Sequence, residues 1–159
     1  MRSTVPRRAS TGQRAAGAAV ADYRLEQQVG YLLRKAHQRA TAIFMKHFGA
    51  HQLTPTQWTT LVRVLEQGSV SQNQLGRLTA MDPATIQGVA QRLIERGLIA
   101  RTPDPKDGRR KRLAPTPAGK RIVNSLISEA YKVSWDTLKP LTPSEKAQFL
   151  DLLSRLGGS

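Results

Sequence analysis

The apolar residues of this chain recur at helical spacing in six separate stretches and at strand spacing almost nowhere. Leu25, Val29, Leu32, Ala36, Ala40, Ile43 and Phe44 stripe a first helix over 22–48. Trp58, Leu61, Val62 and Leu65 stripe a second, which Gly68 closes. Leu75 and Leu78 mark a short third. Ile86, Val89, Ala90 and Leu93 mark a fourth, with Gly97 just past its end, where helices commonly turn left-handed. Ile122, Val123, Leu126, Ile127 and Ala130 open a fifth helix of more than about 20 residues, and Phe149, Leu150, Leu153 and Leu156 make a sixth. Four helix starts share one chemistry, a capping side chain followed by proline: Thr54-Pro55, Asp82-Pro83, Thr116-Pro117 and Thr142-Pro143. Thr54 with Gln57 and Thr142 with Glu145 have the spacing of full capping boxes, and Ser71 with Gln74 that of a third.

Only 98–102 and 111–113 read as strands. Between them Pro105 presets φ for a turn, Asp107 can bond its own backbone, and Gly108 accepts positive φ. Four consecutive cations follow: Arg109, Arg110, Lys111 and Arg112. A hairpin charged in this way adds little to a core. It suits the negative potential of a nucleic-acid backbone or minor groove, the alternative being a solvated basic turn. A short helix over 71–78, a turn and an amphipathic helix over 82–96 make a helix-turn-helix, and the hairpin behind it makes it winged. The fold class is therefore mainly α with a small β wing, in one domain over 22–159.

Composition points the same way. Of 159 residues, 25 are Lys or Arg and 11 are Asp or Glu, a net charge of +14 that calls for a polyanionic partner. Residues 1–21 hold four arginines and no acid, and read as a disordered basic arm. Arg7-Arg8 is followed by residues too small to form an export signal. No apolar run approaches the ~18 residues of a membrane span, so the expected location is the cytoplasm. The absence of cysteine excludes disulfides, thiolate chemistry and Cys-ligated metal. No cofactor is called for.

Three motifs in register carry a resemblance over nearly the whole chain from residue 22. They are Leu75-Gly76-Arg77-Leu78, then Arg92-Leu93-Ile94-Glu95-Arg96-Gly97-Leu98-Ile99, then Asp104-Pro105-Lys106-Asp107-Gly108-Arg109-Arg110 with Leu113 and Thr116-Pro117-Ala118-Gly119. In these the chain resembles the MarR (multiple antibiotic resistance regulator) family of bacterial transcription factors. The resemblance implies a two-fold dimer in which the helices over 22–48 and 117–156 intertwine. Two winged helix-turn-helix lobes, here over 54–115, then read a pseudo-palindromic operator in double-stranded DNA. The residues agree independently, because the first and last helices carry more apolar surface than one lobe can cover.

On the fourth helix the inward apolar stripe leaves Ala84, Thr85, Gln87, Gly88 and Gln91 facing a groove. Gln87 and Gln91 can each pair bidentately with adenine, and Thr85 can reach a phosphate or a thymine methyl. The alternative is a polar face that only meets solvent. Relatives often carry a long side chain where this chain has Gly88, which costs roughly 1 kcal/mol of helix propensity. In the wing, the resemblance implies an arginine braced by an aspartate and aimed at the minor groove. Asp107 with Arg109 or Arg110 fits, and spacing does not choose between the two. Lys111 and Arg112 are assigned to phosphates or solvent. Arg77 and Arg92 are phosphate candidates, though Arg92 could equally hold the wing by pairing with Asp104.

Many members of the family release DNA when a small aromatic acid enters the crevice beside the dimerisation helices. Tyr31, Arg34, His37, Gln38 and Phe44 on the first helix, with His51 and Trp58, offer cations for a carboxylate and rings for an arene. Each has an ordinary alternative: Phe44 and Trp58 in the core, Arg34 and His37 on a dimer face. The stretch 30–44 resembles the branch that senses benzoate-, hydroxycinnamate- or nicotinate-type acids or their coenzyme A thioesters. The reading is a ligand-responsive repressor of catabolic or efflux genes. A sequence-blind architectural DNA binder is the rival, but no apolar wedge stands at the wing tip. An enzyme is not expected: His37, His47 and His51 form a loose group that no Asp or Glu accompanies as a ligand or base, and no phosphate loop or nucleophile elbow is present.

Overall fold

The computed structural model describes residues 23–158; the basic arm over 1–21 lies outside them. Residues 23–38 hold a single 3-10 turn, Leu25–Gln27, and the first turns of α1 (Val29–Phe48). The first helix thus starts later than its apolar stripe suggests. Gln28 is extended, with φ −79° and ψ 129°, and Arg24 before the short turn gives no side-chain cap. Apolar spacing continues through such an interruption without registering it.

Residues 39–158 hold the end of α1, then α2 (Pro55–Gln67), α3 (Gln72–Leu78), α4 (Pro83–Glu95), β1 (Ile99–Pro103), β2 (Lys111–Pro115), α5 (Pro117–Leu138) and α6 (Pro143–Leu156). Helix starts obey local chemistry. Thr54 and Thr142 close full capping boxes, while Asp82 accepts from the amides of Ala84 and Thr85. Ser71 accepts from the amide of Gln74 at 3.3 Å, yet no reciprocal bond from Gln74 completes the expected third box. Gly68 and Gly97 take φ of +65° and +66° past the ends of α2 and α4, a left-handed turn that glycine makes without a steric penalty.

The core is one cluster built around fully buried Phe48, Leu53, Leu61, Val64, Leu75, Leu93 and Ile99, closed from the α5 side by Val123 and Leu126. The two strands pair antiparallel from Ile99 opposite Pro115 to Pro103 opposite Lys111, so the second runs two residues beyond its expected end. Val70, in the loop before α3, adds a bridge to Leu113 with bonds of 2.9 and 2.8 Å, which ties the root of the wing to the start of the helix-turn-helix. Thr116 fixes the next corner by donating to the Gly97 carbonyl at 2.6 Å while accepting from the Gly119 amide at 3.0 Å. A Cβ on Gly119 would lie 2.0 Å from the Leu98 carbonyl oxygen, so this crossing tolerates glycine alone.

Candidate nucleic-acid interface

α4 buries Ile86, Val89, Ala90 and Leu93 and turns Ala84, Thr85 and Gln87 to solvent, with Gly88 and Gln91 half-buried beside them. The helix is seated by its own cap. The Asp82 carboxylate lies 2.5 Å from the Thr85 hydroxyl and 2.9 Å from its amide, and these bonds hold its pKa below the usual carboxylate value. Thr85 is thereby already engaged, and its hydroxyl reaches a phosphate only by sharing or exchanging that bond. Gln87 is exposed and unencumbered by any side-chain bond among the described residues. Gln91 is not: its Nε2 donates to Glu95 at 2.9 Å and its Oε1 accepts from Arg101 at 3.0 Å. Arg101 sits on β1 and escaped the sequence reading, since a lone arginine in a strand has no periodic or motif signal.

At the wing tip the backbone is locked by its acids. The Lys106 amide donates to Asp104 at 2.8 Å and the Arg109 amide to Asp107 at 3.1 Å. The Asp107 carboxylate meets the Arg110 guanidinium at 3.4 Å, whereas the guanidinium of Arg109 makes no polar contact among the described residues. The pairing left open between Arg109 and Arg110 therefore falls to Arg110, whose side chain is still 80% exposed.

Two assignments in this region change. Arg92 does not pair with Asp104; it stays exposed on α4. Asp104 is instead the partner of Arg112, at 3.2 Å, and Arg112 also donates to the Ser69 hydroxyl at 2.9 Å and the Ser69 carbonyl at 2.7 Å. The sequence alone points Arg112 to phosphates or solvent. It is half-buried because alternation along β2 turns it toward the loop that leads into α3. The Lys106 amide first, and Arg112 second, hold the Asp104 carboxyl below its ordinary pKa. Lys111 is exposed at the start of β2, and Arg77 is exposed in the last turn of α3.

The residues assigned to an effector divide differently. Tyr31 is half-exposed, and Arg34, His37 and Gln38 are exposed on the first turns of α1. Phe44 is buried and stacks on Phe48 at 4.2 Å, and Phe48 meets Trp58 edge-on at 4.9 Å. His51 closes a 3-10 turn, Gly49–His51, whose carbonyl accepts from Arg96 at 2.8 Å. Trp58 lines a shallow cavity of about 220 Å³ with Val62, Ile127, Ala130, Tyr131 and Ser134. Tyr131 is the ring that the sequence did not single out.

His47 also departs from expectation. It lacks acidic neighbours in sequence, but its Nδ1 lies 3.0 Å from Glu129 and its Nε2 3.0 Å from Asp136. The two carboxylates flank the ring on opposite nitrogens rather than converging on one point, so the trio makes no metal cage, and no other such group occurs among the described residues. No helix among them is long and apolar enough to cross a membrane.

Comparison with known proteins converges on one group. A family model described as "MarR family" matches residues 51–110, the segment from the turn before α2 to the wing tip. The chain is 38% identical over 134 residues to the HTH-type transcriptional repressor NicR of Pseudomonas putida, covering 84% of this chain and 85% of that one. A probable transcriptional regulator from Pseudomonas aeruginosa of known structure shares 48% identity and a TM-score of 0.80, over 84% of this chain and 99% of its own. Bordetella bronchiseptica BpsR, whose structure is described as a mechanism for regulation of DNA binding by 6-hydroxynicotinic acid, shares 34% identity and a TM-score of 0.81 over 86% and 98%. With its winged helix-turn-helix and this similarity along most of its length, the chain belongs to the MarR family of transcription regulators, and it is not an enzyme.

Proposed function

We propose that the protein is a dimeric repressor that reads a pseudo-palindromic operator with α4 and the wing, and leaves it when a small aromatic acid binds. The observation that carries this reading is the pairing of a polar α4 face with a cationic wing on a lobe whose apolar core is otherwise complete. Gln87 and Gln91 read base edges in the major groove, and Thr85 and the backbone at Gly88 lie against the sugar-phosphate wall. Arg110, braced by Asp107, enters the minor groove, and Arg77, Arg92, Arg109 and Lys111 meet phosphates. Such a protein works in the cytoplasm, where the operator is.

The effector reading rests on the cavity that joins Trp58 to Tyr131 and on the similarity to NicR and BpsR. The arene lies between those two rings; Arg34 and His37, the cations that the sequence singles out, are the candidates for its carboxylate. Release follows from linkage: a ligand that binds one spacing of the two lobes better by ~1–3 kcal/mol shifts the dimer away from the ~34 Å half-site separation. Titration with hydroxynicotinate, benzoate and cinnamate acids and their coenzyme A thioesters tests it. The expected result is quenching of Trp58 fluorescence together with loss of operator binding, and Arg34→Ala or His37→Ala blocks that response without weakening DNA binding. A panel that neither quenches nor releases DNA contradicts the sensing claim.

A further inference from the structure

Gln91 lies between two groups of opposite demand. Arg101 on β1 can only donate, and it donates to Oε1 at 3.0 Å; the Glu95 carboxylate one turn along α4 can only accept, and it accepts from Nε2 at 2.9 Å. A glutamine amide free to rotate presents its oxygen and its nitrogen interchangeably, because the two ends have nearly the same shape. Here the reversed amide would set its NH2 against guanidinium N–H groups and its carbonyl against a carboxylate. Both contacts would be repulsive, so one orientation is selected.

That orientation matters for readout. Adenine is recognised only if the amide oxygen accepts from N6–H while the amide nitrogen donates to N7. Oxygen has a second lone pair and nitrogen a second hydrogen, so each keeps one valence for a base after its bond within the protein is made. We propose that Arg101 and Glu95 are positioning residues that fix the amide of Gln91 for reading one base pair in each half-site. The wing and the recognition helix are thereby coupled, since Arg101 belongs to β1 and Gln91 to α4. This rests on the DNA-reading role assigned to α4 above.

The test is the base preference of the purified full-length protein at every position of a randomised half-site, at fixed salt. Gln91→Ala is expected to lower the adenine preference at one position about fivefold or more. Glu95→Ala and Arg101→Ala are each expected to lower preference at that same position, whereas Glu95→Gln, which still accepts from the Gln91 amide, retains it. A lost phosphate contact at Arg101 would weaken binding uniformly across sequences and leave this ratio unmoved. If Gln91→Ala lowers the preference but both alanine variants of its neighbours keep the parental profile, the positioning role is overturned and the reading of α4 stands. If Gln91→Ala itself leaves the profile unchanged, the contact fails and the inference with it.

Discussion

Gly88 sits in the middle of α4, where glycine costs about 0.5–1 kcal/mol relative to alanine, yet nothing among the described residues requires it. A Cβ placed there meets only the Arg92 guanidinium, at 3.9 Å. Gly88→Ala should therefore raise stability by about 0.5–1 kcal/mol in denaturant unfolding. If the helix backbone lies against DNA at this point, the same variant should bind operator more weakly; gain of stability with unchanged affinity would remove Gly88 from the interface. Thr60 gives a second residue-scale prediction. Its side chain is fully buried, and its hydroxyl has no hydrogen-bond partner among the described residues. Thr60→Val should stabilise by up to about 1 kcal/mol, and a loss of stability would show that the hydroxyl has a partner after all. At this scale the sequence reveals which residues are polar and outward, because helical spacing alone sorts the α4 face. It does not reveal which cation is spoken for: Arg109 to Arg112 look alike in a run, and only the fold turns Arg112 onto Ser69 and Asp104.

Between elements, His47 joins the end of α1 to α5 by bonding Glu129 and Asp136, and the Arg39 guanidinium reaches the Asp136 carbonyl at 3.4 Å. The hydrogen bonds to Glu129, and then to Asp136, raise the His47 pKa above its ordinary 6.5. Lys132 first and His47 second lower that of Glu129, and His47 lowers that of Asp136. A raised histidine stabilises the fold fully below 6.5, and that contribution is lost as pH climbs through the higher folded value. The lowered carboxylates act in the opposite sense, contributing above their ordinary range and losing it as acid protonates them. The clamp is thus strongest between those limits. Thermal unfolding should show stability falling as pH rises above 6.5, and His47→Gln should flatten that slope. An unchanged slope in the variant would assign the pH dependence elsewhere. Helix caps were legible in sequence because each is settled within four residues. The partners of His47 lie 82 and 89 positions away, beyond the reach of any local pattern.

Over the whole molecule, apolar surface is left uncovered on the elements that the sequence assigned to dimerisation. Val29 is 65% exposed on α1, Tyr131 and Trp135 are 73% and 67% exposed on α5, and α6 buries none of its residues. A single chain exposing such faces needs a second copy. Light scattering should find a particle of twice the 17.5 kDa chain mass at micromolar concentration, with unfolding that depends on protein concentration. A stable, fully helical monomer would contradict the dimer. The order of elements and the wing were readable from spacing and turn chemistry, and Trp58 was legible as a ring facing a crevice, while Tyr131 was not, because it reaches the cavity from a helix more than about 70 residues further on.

The central claim is sequence-specific DNA binding by α4 and the wing. It is tested most directly by the affinity for an operator selected from random DNA, set against that for unselected DNA at one salt concentration. The expected ratio is about 10³ or more, falling by ~1–3 kcal/mol in Gln87→Ala and again in Arg110→Ala. Equal affinity for both DNAs, or parental affinity in both variants, would contradict it.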